Sequence, residues 1–253
     1  MGGLSFFERV WVILLAYWPS ILLGVRTTLI VSLSGTAIGL CIGLLIGGLK
    51  AVKLDYTASK PIKIIKKIFD ILSTVYIEVF RGTPMMVQAV FIYYALLNVI
   101  HWDNITAAIF VISINTGSYM SEIIRSGIQS IDAGQVEASR SLGMSNIQTM
   151  MNVVLPQAIR NAFPAIGNEL IVNIKDSSVL MIISITDLMF QSKSIAGSTF
   201  WFTETYFLTA AVYLFLTTIS SIILHYIERR MHRSVSSIPT SDTDPSNQKL
   251  QGE

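Results

Sequence analysis

Charged residues and cysteine are both scarce in this sequence. Only 13% of its 253 residues are charged, and 18 Lys and Arg against 16 Asp and Glu leave a formal charge of +2. A nearly balanced charge gives no electrostatic basis for binding nucleic acid, so we expect no nucleic-acid partner. The single cysteine, Cys41, excludes an intramolecular disulfide and a cysteine metal cluster. We therefore expect no metal ion and no cofactor.

Two signatures of enzymes are also missing from the sequence. It contains no glycine-rich phosphate loop of the form G-x-x-x-x-G-K-[ST], which would cradle the phosphates of ATP. No set of Ser, His and Asp, or of Cys and His, forms a recognisable nucleophile. The chain is therefore predicted not to be an enzyme and not to hydrolyse ATP itself.

Apolar residues, by contrast, make up 52% of the chain, and the mean hydropathy is +0.59. This is more apolar than an average soluble domain. We predict an all-α polytopic membrane protein with about five transmembrane helices. Long apolar segments place these helices at residues 27–49, 75–100, 104–124, 162–181 and 207–226.

The chain divides into three predicted parts. Residues 1–26 form an N-terminal segment with an interfacial helix, because Trp11 and Trp18 favour the headgroup level of a membrane. Residues 27–230 form the transmembrane domain. Residues 231–253 are rich in Ser, Thr, Asp and Pro and are predicted to be a disordered cytoplasmic tail.

Basic residues cluster at the ends of two predicted spans. Lysines follow the first span at positions 50, 53, 60, 63, 66 and 67, and the last span ends in Arg229, Arg230, His232 and Arg233. Positively charged loops remain in the cytoplasm. Five spans then place the N-terminus outside and the C-terminus in the cytoplasm.

The first span is rich in glycine at four-residue spacing, at Gly35, Gly39, Gly43 and Gly47, with Gly48 beside them. Such a face lets another helix approach closely. The alternative is that glycine is simply common in membrane helices.

The second span contains the sequence R-G-T-P at residues 81–84. Proline frees a backbone carbonyl and glycine loosens a helix, so a kink is expected there. The third span carries Glu122 and Arg125, whose helical spacing favours a structural ion pair.

Residues 132–156, here called the polar loop, interrupt the apolar pattern. Asp132 and Gln135 have the spacing of a capping box, and Gly143 tolerates a left-handed backbone, so a helix is predicted over 133–142. Ser145 and Gln148 repeat the capping box and start a second helix. Its predicted apolar stripe consists of Ile147, Met150, Met151 and Val154, and Pro156 predicts a bend after it. The alternative is an ordinary connection between two membrane helices.

Polar residues are concentrated in the fourth span, at Asn168, Glu169, Asn173, Lys175 and Asp176. Helical spacing places Asn168 and Lys175 on one face and the other three on an adjoining face, turned towards a bundle interior. They either join helices through ion pairs and hydrogen bonds or line a solvated pathway. Our candidate pathway residues are Asn115, Asn168, Glu169, Asn173 and Asp176, with Gln88 as a weaker candidate.

The polar loop also resembles a known motif. The residues that carry the likeness are Glu137, Ala138, Ser139, Gly143, Val153, Leu155 and Pro156. Their types and spacing resemble the EAA loop of ABC-importer membrane subunits, with Ser139 where alanine is usual. The runs R-G-T-P, S-Y-M-S-E-I-I-R-S-G-I-Q-S-I and N-E-L-I-V-N-I-K-D-S-S resemble the permease subunit of a polar amino-acid ABC importer. Two residues depart from that family. Where this chain has Asp176 the family commonly has an uncharged polar residue, and where it has Asp187 the family commonly has Glu.

This resemblance covers roughly residues 27–230 and implies the fold of a type I ABC-importer permease. It implies a cytoplasmic coupling helix in the polar loop that docks on an ATP-hydrolysing subunit. The coupling residues it implies are Glu137, Ala138, Ser139, Gly143, Leu155 and Pro156.

The resemblance further implies import of a polar amino acid such as cystine, arginine, glutamine or histidine through a bacterial cell membrane. The implied partners are ABC ATPase subunits, an extracellular solute-binding protein, membrane lipid, and a second permease subunit in a homodimer or heterodimer. The alternative is a secondary amino-acid transporter that acts alone. Secondary transporters often contain inverted repeats, and none is evident in the sequence.

Overall fold

A computed structural model describes residues 3–52, 54 and 59–233 of the chain, and within these residues it contains helices and no strand. The α-helices are α1 (Phe6–Ala51), α2 (Lys60–Gly82), α3 (Met85–Ile100), α4 (Asn104–Gln129), α5 (Ala133–Ser141), α6 (Asn146–Thr149), α7 (Leu155–Asp176), α8 (Leu188–Thr199) and α9 (Phe202–Arg233). A π-helical turn, Met150–Val154, joins α6 to α7, and a 3₁₀ segment, Ser177–Ile183, follows α7. Of the predicted tail, residues 231–233 are helical and belong to α9, and residues 234–253 lie outside the described residues.

Three helices are long and apolar enough to cross a membrane: Phe6–Ala51, Asn104–Gln129 and Phe202–Met231. Two bent helix pairs also qualify when each pair is taken as one span. The chain bends by 113° between α2 and α3, and by 59° between the segment Asn146–Ile183 and α8. The structure therefore has up to five spans, in agreement with the prediction of about five.

Helix α1 is longer than predicted, because it includes both the N-terminal segment and the first span in 46 residues. The expected boundary near residue 26 is absent. Ser5 starts the helix through a capping box with Glu8, and Pro19 is tolerated inside it, as proline often is in membrane helices. Arg9, which interrupts the apolar run, is neutralised by Glu204 at 3.1 Å. The interfacial position of residues 1–26 remains a prediction.

Helices α1 and α4 pack against each other through glycine. A Cβ atom added to Gly39 would lie 2.8 Å from the side chain of Thr116, far inside van der Waals contact. Gly35, Gly43 and Gly47 likewise leave no room for a side chain, whereas a Cβ on Gly48 would meet nothing within 4 Å. Four of the five glycines thus form the predicted close-packing face, and α4 is the helix that it receives.

Two clusters of buried apolar residues surround the two halves of α4. The first contains Val31, Ala107, Ala108, Val111, Ile112, Leu180, Ile183 and Ile185. The second contains Met120, Ile124, Ile128, Val154, Ala158, Ala162 and Ile166. Because both clusters include residues of α4, this helix is the centre of the bundle, and α1 and α7 lie against it.

The R-G-T-P sequence breaks the second span as predicted. Thr83 has extended backbone dihedrals, and Pro84 is the N-cap of α3. The break leaves Arg81 in the last turn of α2, close to the middle of α4, where its guanidinium lies 5.3 Å from the ring centre of Tyr119.

Candidate functional site: the polar loop and the polar interior

The first half of the polar loop folds largely as predicted. The carboxylate of Asp132 accepts a hydrogen bond from the Gly134 N–H at 2.7 Å and begins α5. Gly143 has φ +83°, a left-handed conformation that suits glycine. The reciprocal half of the predicted capping box is replaced, because the side-chain oxygen of Gln135 accepts a hydrogen bond from Gln157 at 2.6 Å. That bond ties α5 to α7.

The second half of the loop differs from the prediction at Pro156. The capping box of Ser145 and Gln148 is present in both directions. No bend follows it, and the chain stays helical from Asn146 to Ile183. The Leu155 N–H donates to the carbonyl of Met150, five residues back, and this wider π turn carries the helix into Pro156, which has no N–H to donate.

The predicted apolar stripe is partly buried and partly exposed around this π turn. Val154 is buried, and Met150 packs against the second apolar cluster. Ile147 and Met151 are exposed instead, Ile147 by 75%, and Leu142 between the two helices is exposed by 84%. The loop therefore presents three apolar side chains outwards, Leu142, Ile147 and Met151.

The residues of the loop motif have different exposures. Glu137, Ala138, Gly143 and Pro156 are exposed, Leu155 is half-buried, and Ser139 is buried. The Ser139 hydroxyl donates to the carbonyl of Gln135 at 2.7 Å. A hydroxyl at this position is thus satisfied within α5 itself.

Asn173 joins three helices in the interior and is only 2% exposed. Its side-chain amide donates to the hydroxyls of Thr36 on α1 at 2.8 Å and Thr116 on α4 at 2.9 Å. The Ser32 hydroxyl donates to the backbone carbonyl of Asn173 at 3.0 Å. Asn173 therefore uses its polar atoms to hold the bundle together.

Gln88 and Asn115 close the break between α2 and α3. The Gln88 amide donates to the carbonyls of Phe80 and Thr83, both at 2.9 Å, and the Asn115 amide donates to the Gln88 side-chain oxygen at 2.9 Å. Carbonyls freed by a break need such partners inside a membrane. Both residues are buried and are hydrogen-bonded to protein groups, and their role in a pathway remains a prediction.

Glu169 and Asp176 share a face of α7 but have no such partners. Glu169 is 9% exposed and Asp176 is exposed. Among the described residues, neither carboxylate has a salt bridge within 4.0 Å, so the considered ion pairs with Lys175 are not formed. The charges that act on Glu169 are those of Asp176 and Arg81.

A cavity of about 790 Å³ opens between α2, α4 and α7, and we call it the Arg81 cavity. Its polar lining residues are Arg81, Tyr119, Glu122, Ser126, Ser130 and Asn161. Glu122 and Arg125 form the predicted ion pair, at 2.7 Å. The sequence pattern did not identify Arg81 or Tyr119 as site residues, although the R-G-T-P break was a signal that a charged residue would be left at a helix end.

Asn168 lies away from the other candidates. It lines a separate cavity of about 260 Å³ between α7 and α9, together with His225 and Glu228. This agrees with the predicted separation of Asn168 from Glu169, Asn173 and Asp176. It also removes Asn168 from the face on which the other three lie.

The hydrogen bonds of Asn173 lead to a stability prediction. Asn173→Ala is expected to lower the free energy of unfolding by about 2 to 3 kcal/mol, because buried hydroxyls lose their partners. Denaturant titration of the purified protein in detergent measures the change. Asn168→Ala on the same helix, at an exposed position, is the matched control and should cost no more than about 0.5 kcal/mol. Equal losses of unfolding free energy in the two variants would show that the hydrogen bonds of Asn173 to α1 and α4 do not stabilise the bundle.

Comparison with known proteins adds to this geometry. Residues 56–233 match the family described as binding-protein-dependent transport system inner membrane component. The glutamine transport system permease protein GlnP of Escherichia coli strain K12 is 39% identical over 222 residues, which cover 85% of this chain and 96% of that protein. The probable amino-acid permease protein YxeN of Bacillus subtilis strain 168 is 39% identical over 166 residues, or 64% of this chain and 74% of that protein.

Solved structures share the fold. The crystal structure of an amino acid ABC transporter with histidines superposes with a TM-score of 0.76 and 35% identity, covering 90% of this chain and 99% of that one. An inward-facing MetNI methionine ABC transporter gives a TM-score of 0.74 at 20% identity over 85% of this chain and 98% of that one, which supports the fold alone.

The structure has helical membrane spans around α4 and a polar loop with exposed apolar side chains between the third and fourth spans. These features and the related structures define the class of protein: the membrane-embedded permease subunit of a type I ABC importer. This chain belongs to the family of binding-protein-dependent transport system inner membrane components. The predicted resemblance to the amino-acid branch of these permeases is confirmed.

Proposed function

We propose that this permease imports polar amino acids and that separate ATPase subunits supply the energy. The observation that carries the proposal is the shape of the polar loop. Two capped helices meet at the left-handed Gly143 and expose Leu142, Ile147 and Met151 in a loop whose sequence matches the EAA motif. Exposed apolar side chains on a helical unit of fixed shape suit docking into a groove on a partner.

The substrate class follows from the relatives and from the charges on the polar face of α7 and at the Arg81 cavity. One relative is named a glutamine permease, and one related structure is of an amino acid transporter with histidines. An amino acid carries an ammonium and a carboxylate, and both need partners in a membrane interior. Glu169 and Asp176 offer negative charge and Arg81 offers positive charge. Glutamine, histidine, arginine and cystine all fit this class.

The transport pathway, in this proposal, follows the polar face of α7 into the Arg81 cavity. Glu169 and Asp176 contact the substrate, while Asn173, Asn115 and Gln88 hold the helices that line the path. Asn168 contributes from the neighbouring face of α7. This division is supported by the hydrogen bonds of the three amides to protein groups and by the absence of salt bridges at the two carboxylates within the described residues.

The proposed assembly places this subunit in a bacterial cell membrane. The lysines near the start of α2 and the arginines near the end of α9 face the cytoplasm, so the N-terminus lies outside and the C-terminus inside. The polar loop then lies on the cytoplasmic side, where it meets the ATPase subunits. A solute-binding protein delivers the substrate outside, and a second permease subunit, identical or similar, completes the path.

Uptake by the purified subunits tests the energy source. Proteoliposomes that contain this permease, its ATPase subunits and its binding protein should take up labelled amino acids only when ATP is supplied to the ATPase side. Competition among unlabelled amino acids then identifies the substrate. Uptake by the permease alone, driven by an ion gradient, would overturn the proposal in favour of a secondary transporter.

Charge removal tests the pathway. Glu169→Gln and Asp176→Asn keep the shape of each side chain and remove its charge, and we expect each to reduce uptake about tenfold, the value of one hydrogen bond to a charged group. The measurement is initial uptake rate against substrate concentration in proteoliposomes. Glu228→Gln, beside the α7 and α9 cavity, is the control and should transport normally. Loss of folded protein in proportion to lost uptake, with unchanged substrate preference, would assign the two carboxylates a purely structural role.

A further inference from the structure

A second large cavity lies where α1 ends and α2 begins. Its volume is about 830 Å³, and we call it the basic groove. The residues that give it its character are Lys50, Lys63, Lys66, Lys67, Asp70 and Ile71. Among the lining residues that the structure describes, four lysines accompany one carboxylate, so this part of the groove carries a net positive charge.

Some of these lysines are already held in place. Lys66 binds Asp70 at 2.6 Å, and Lys50 donates to the hydroxyl of Thr74 at 2.9 Å. Lys66 also reaches the backbone carbonyl of Lys50 at 3.5 Å, which links the two helices across the groove. The groove is therefore formed by the fold of the chain before any ligand arrives.

The first turns of α2 concentrate positive charge where it is least favourable. Lys63, which lines the groove, lies in the first turn of the helix, where the partial charge of the helix end is already positive and no acidic residue is present. An anion placed here would relieve the repulsion among the lysines and interact with the helix end. The arrangement indicates an anionic ligand.

The opposite face of α2 is apolar. Ile64, Ile65, Ile68 and Leu72 are all more than half exposed. Lysines on one side and exposed isoleucines on the other are the pattern of a helical segment at the boundary between hydrocarbon and water. We place the first half of α2 there, ahead of the part that continues into the span with α3. Ile71 and Val75, which line the groove, are also exposed, so the groove has an apolar wall at this boundary.

We propose that the basic groove binds the headgroup of an anionic phospholipid. The lipid phosphate lies among Lys50, Lys63, Lys66 and Lys67, and an acyl chain runs along Ile71 and Val75. Basic pockets between membrane helices on the cytoplasmic side are suited to such headgroups. The position at the cytoplasmic leaflet rests on the topology in the proposed function. The apolar wall distinguishes this ligand from free phosphate, which would gain nothing from it.

Lipid binding is tested on the full complex of permease and ATPase subunits. Complexes purified in a neutral detergent are titrated with phosphatidylglycerol or phosphatidylcholine, and bound lipid is counted by native mass spectrometry. Lys63→Gln/Lys67→Gln should weaken phosphatidylglycerol binding about thirtyfold relative to wild type, at the usual contribution of lysines near an anionic surface. The matched control, Lys60→Gln/Lys193→Gln, removes the same charge outside the groove and should stay within about twofold.

Other outcomes would overturn the proposal. Wild-type phosphatidylglycerol affinity in Lys63→Gln/Lys67→Gln would do so, as would displacement of the lipid by millimolar inorganic phosphate. Loss of the ATPase subunits from that variant, with lipid binding unchanged, would make the groove a protein contact. If the double variant fails to fold, the single variants give the same comparison. Lys67→Gln should then weaken phosphatidylglycerol binding about fivefold, with Lys60→Gln as its control. Because binding is counted without transport, failure here is separate from failure of the proposed import activity.

Discussion

Replacing Gly39 with leucine is expected to separate α1 from α4 and to remove most folded protein. Even the first atom of the new side chain would lie 2.8 Å from Thr116 and 3.1 Å from the backbone nitrogen of Gly117, and a backbone atom cannot turn aside as a side chain can. Overpacking in protein interiors costs about 1 to 3 kcal/mol, and the upper end is expected at a helix–helix contact of this closeness. The yield of monodisperse protein in detergent and its melting temperature measure the loss.

Gly48 provides the control for that experiment. It belongs to the same helix and the same glycine-rich run, but a Cβ atom there would meet nothing within 4 Å. Gly48→Leu should therefore leave yield and melting temperature close to those of the wild type. Equal damage from both substitutions would mean that leucine disturbs α1 itself, and the packing explanation would be wrong.

Gly143→Val is expected to abolish coupled transport while the membrane helices still fold. Gly143 has φ +83°, and a β-branched residue in a left-handed conformation is strained by about 1 to 2 kcal/mol or more. The strain changes the angle between α5 and α6 and so misplaces Leu142 and Ile147. We expect ATP-driven uptake to fall at least about tenfold, the effect of 1.4 kcal/mol at the docking contact.

Two further variants separate the shape of the loop from its contacts. Gly143→Asn keeps a residue that tolerates the left-handed conformation, so it should transport nearly normally. Leu142→Asp leaves the backbone unchanged and alters a side chain that is 84% exposed, so it should fold normally and lose uptake. Normal uptake by both Gly143→Val and Leu142→Asp would show that the loop is passive.

Local signals in the sequence predicted helix ends well. Ser145 with Gln148 and the left-handed Gly143 formed as expected, because caps depend on residues only a few positions apart. The capping box of Ser5 and Glu8 has the same pattern and starts the predicted N-terminal helix, which continues into the first span instead of ending before it. Pro156 was misjudged, because a π turn compensates for a missing N–H and the sequence does not show that turn.

Long-range partners were the part that the sequence did not reveal. Periodicity identified the glycine face of α1 and the polar face of α7, but it named no neighbouring helix. Asn173 was predicted only as a polar residue facing the interior, and its actual partners, Thr36 and Thr116, lie on two other helices. Arg81 lines its cavity at the end of α2, where the chain breaks before α3. The periodicity of a sequence predicts which face of a helix a side chain occupies, but it does not identify the residues of other helices that the side chain contacts.

The continuous helix that begins at Asn146 connects the polar loop directly to the polar face of α7. From Asn146 to Asp176 the rod is roughly 45 Å long at the usual helical rise, and the bond between Gln135 and Gln157 fastens α5 to it. A tilt of about 10° around one end moves the other by roughly 8 Å over that length. We expect a small thrust on Ile147 to reach the carboxylates of Glu169 and Asp176 through this continuous helix, in which the π turn at Met150–Val154 and Pro164 are the places where bending would absorb part of the motion.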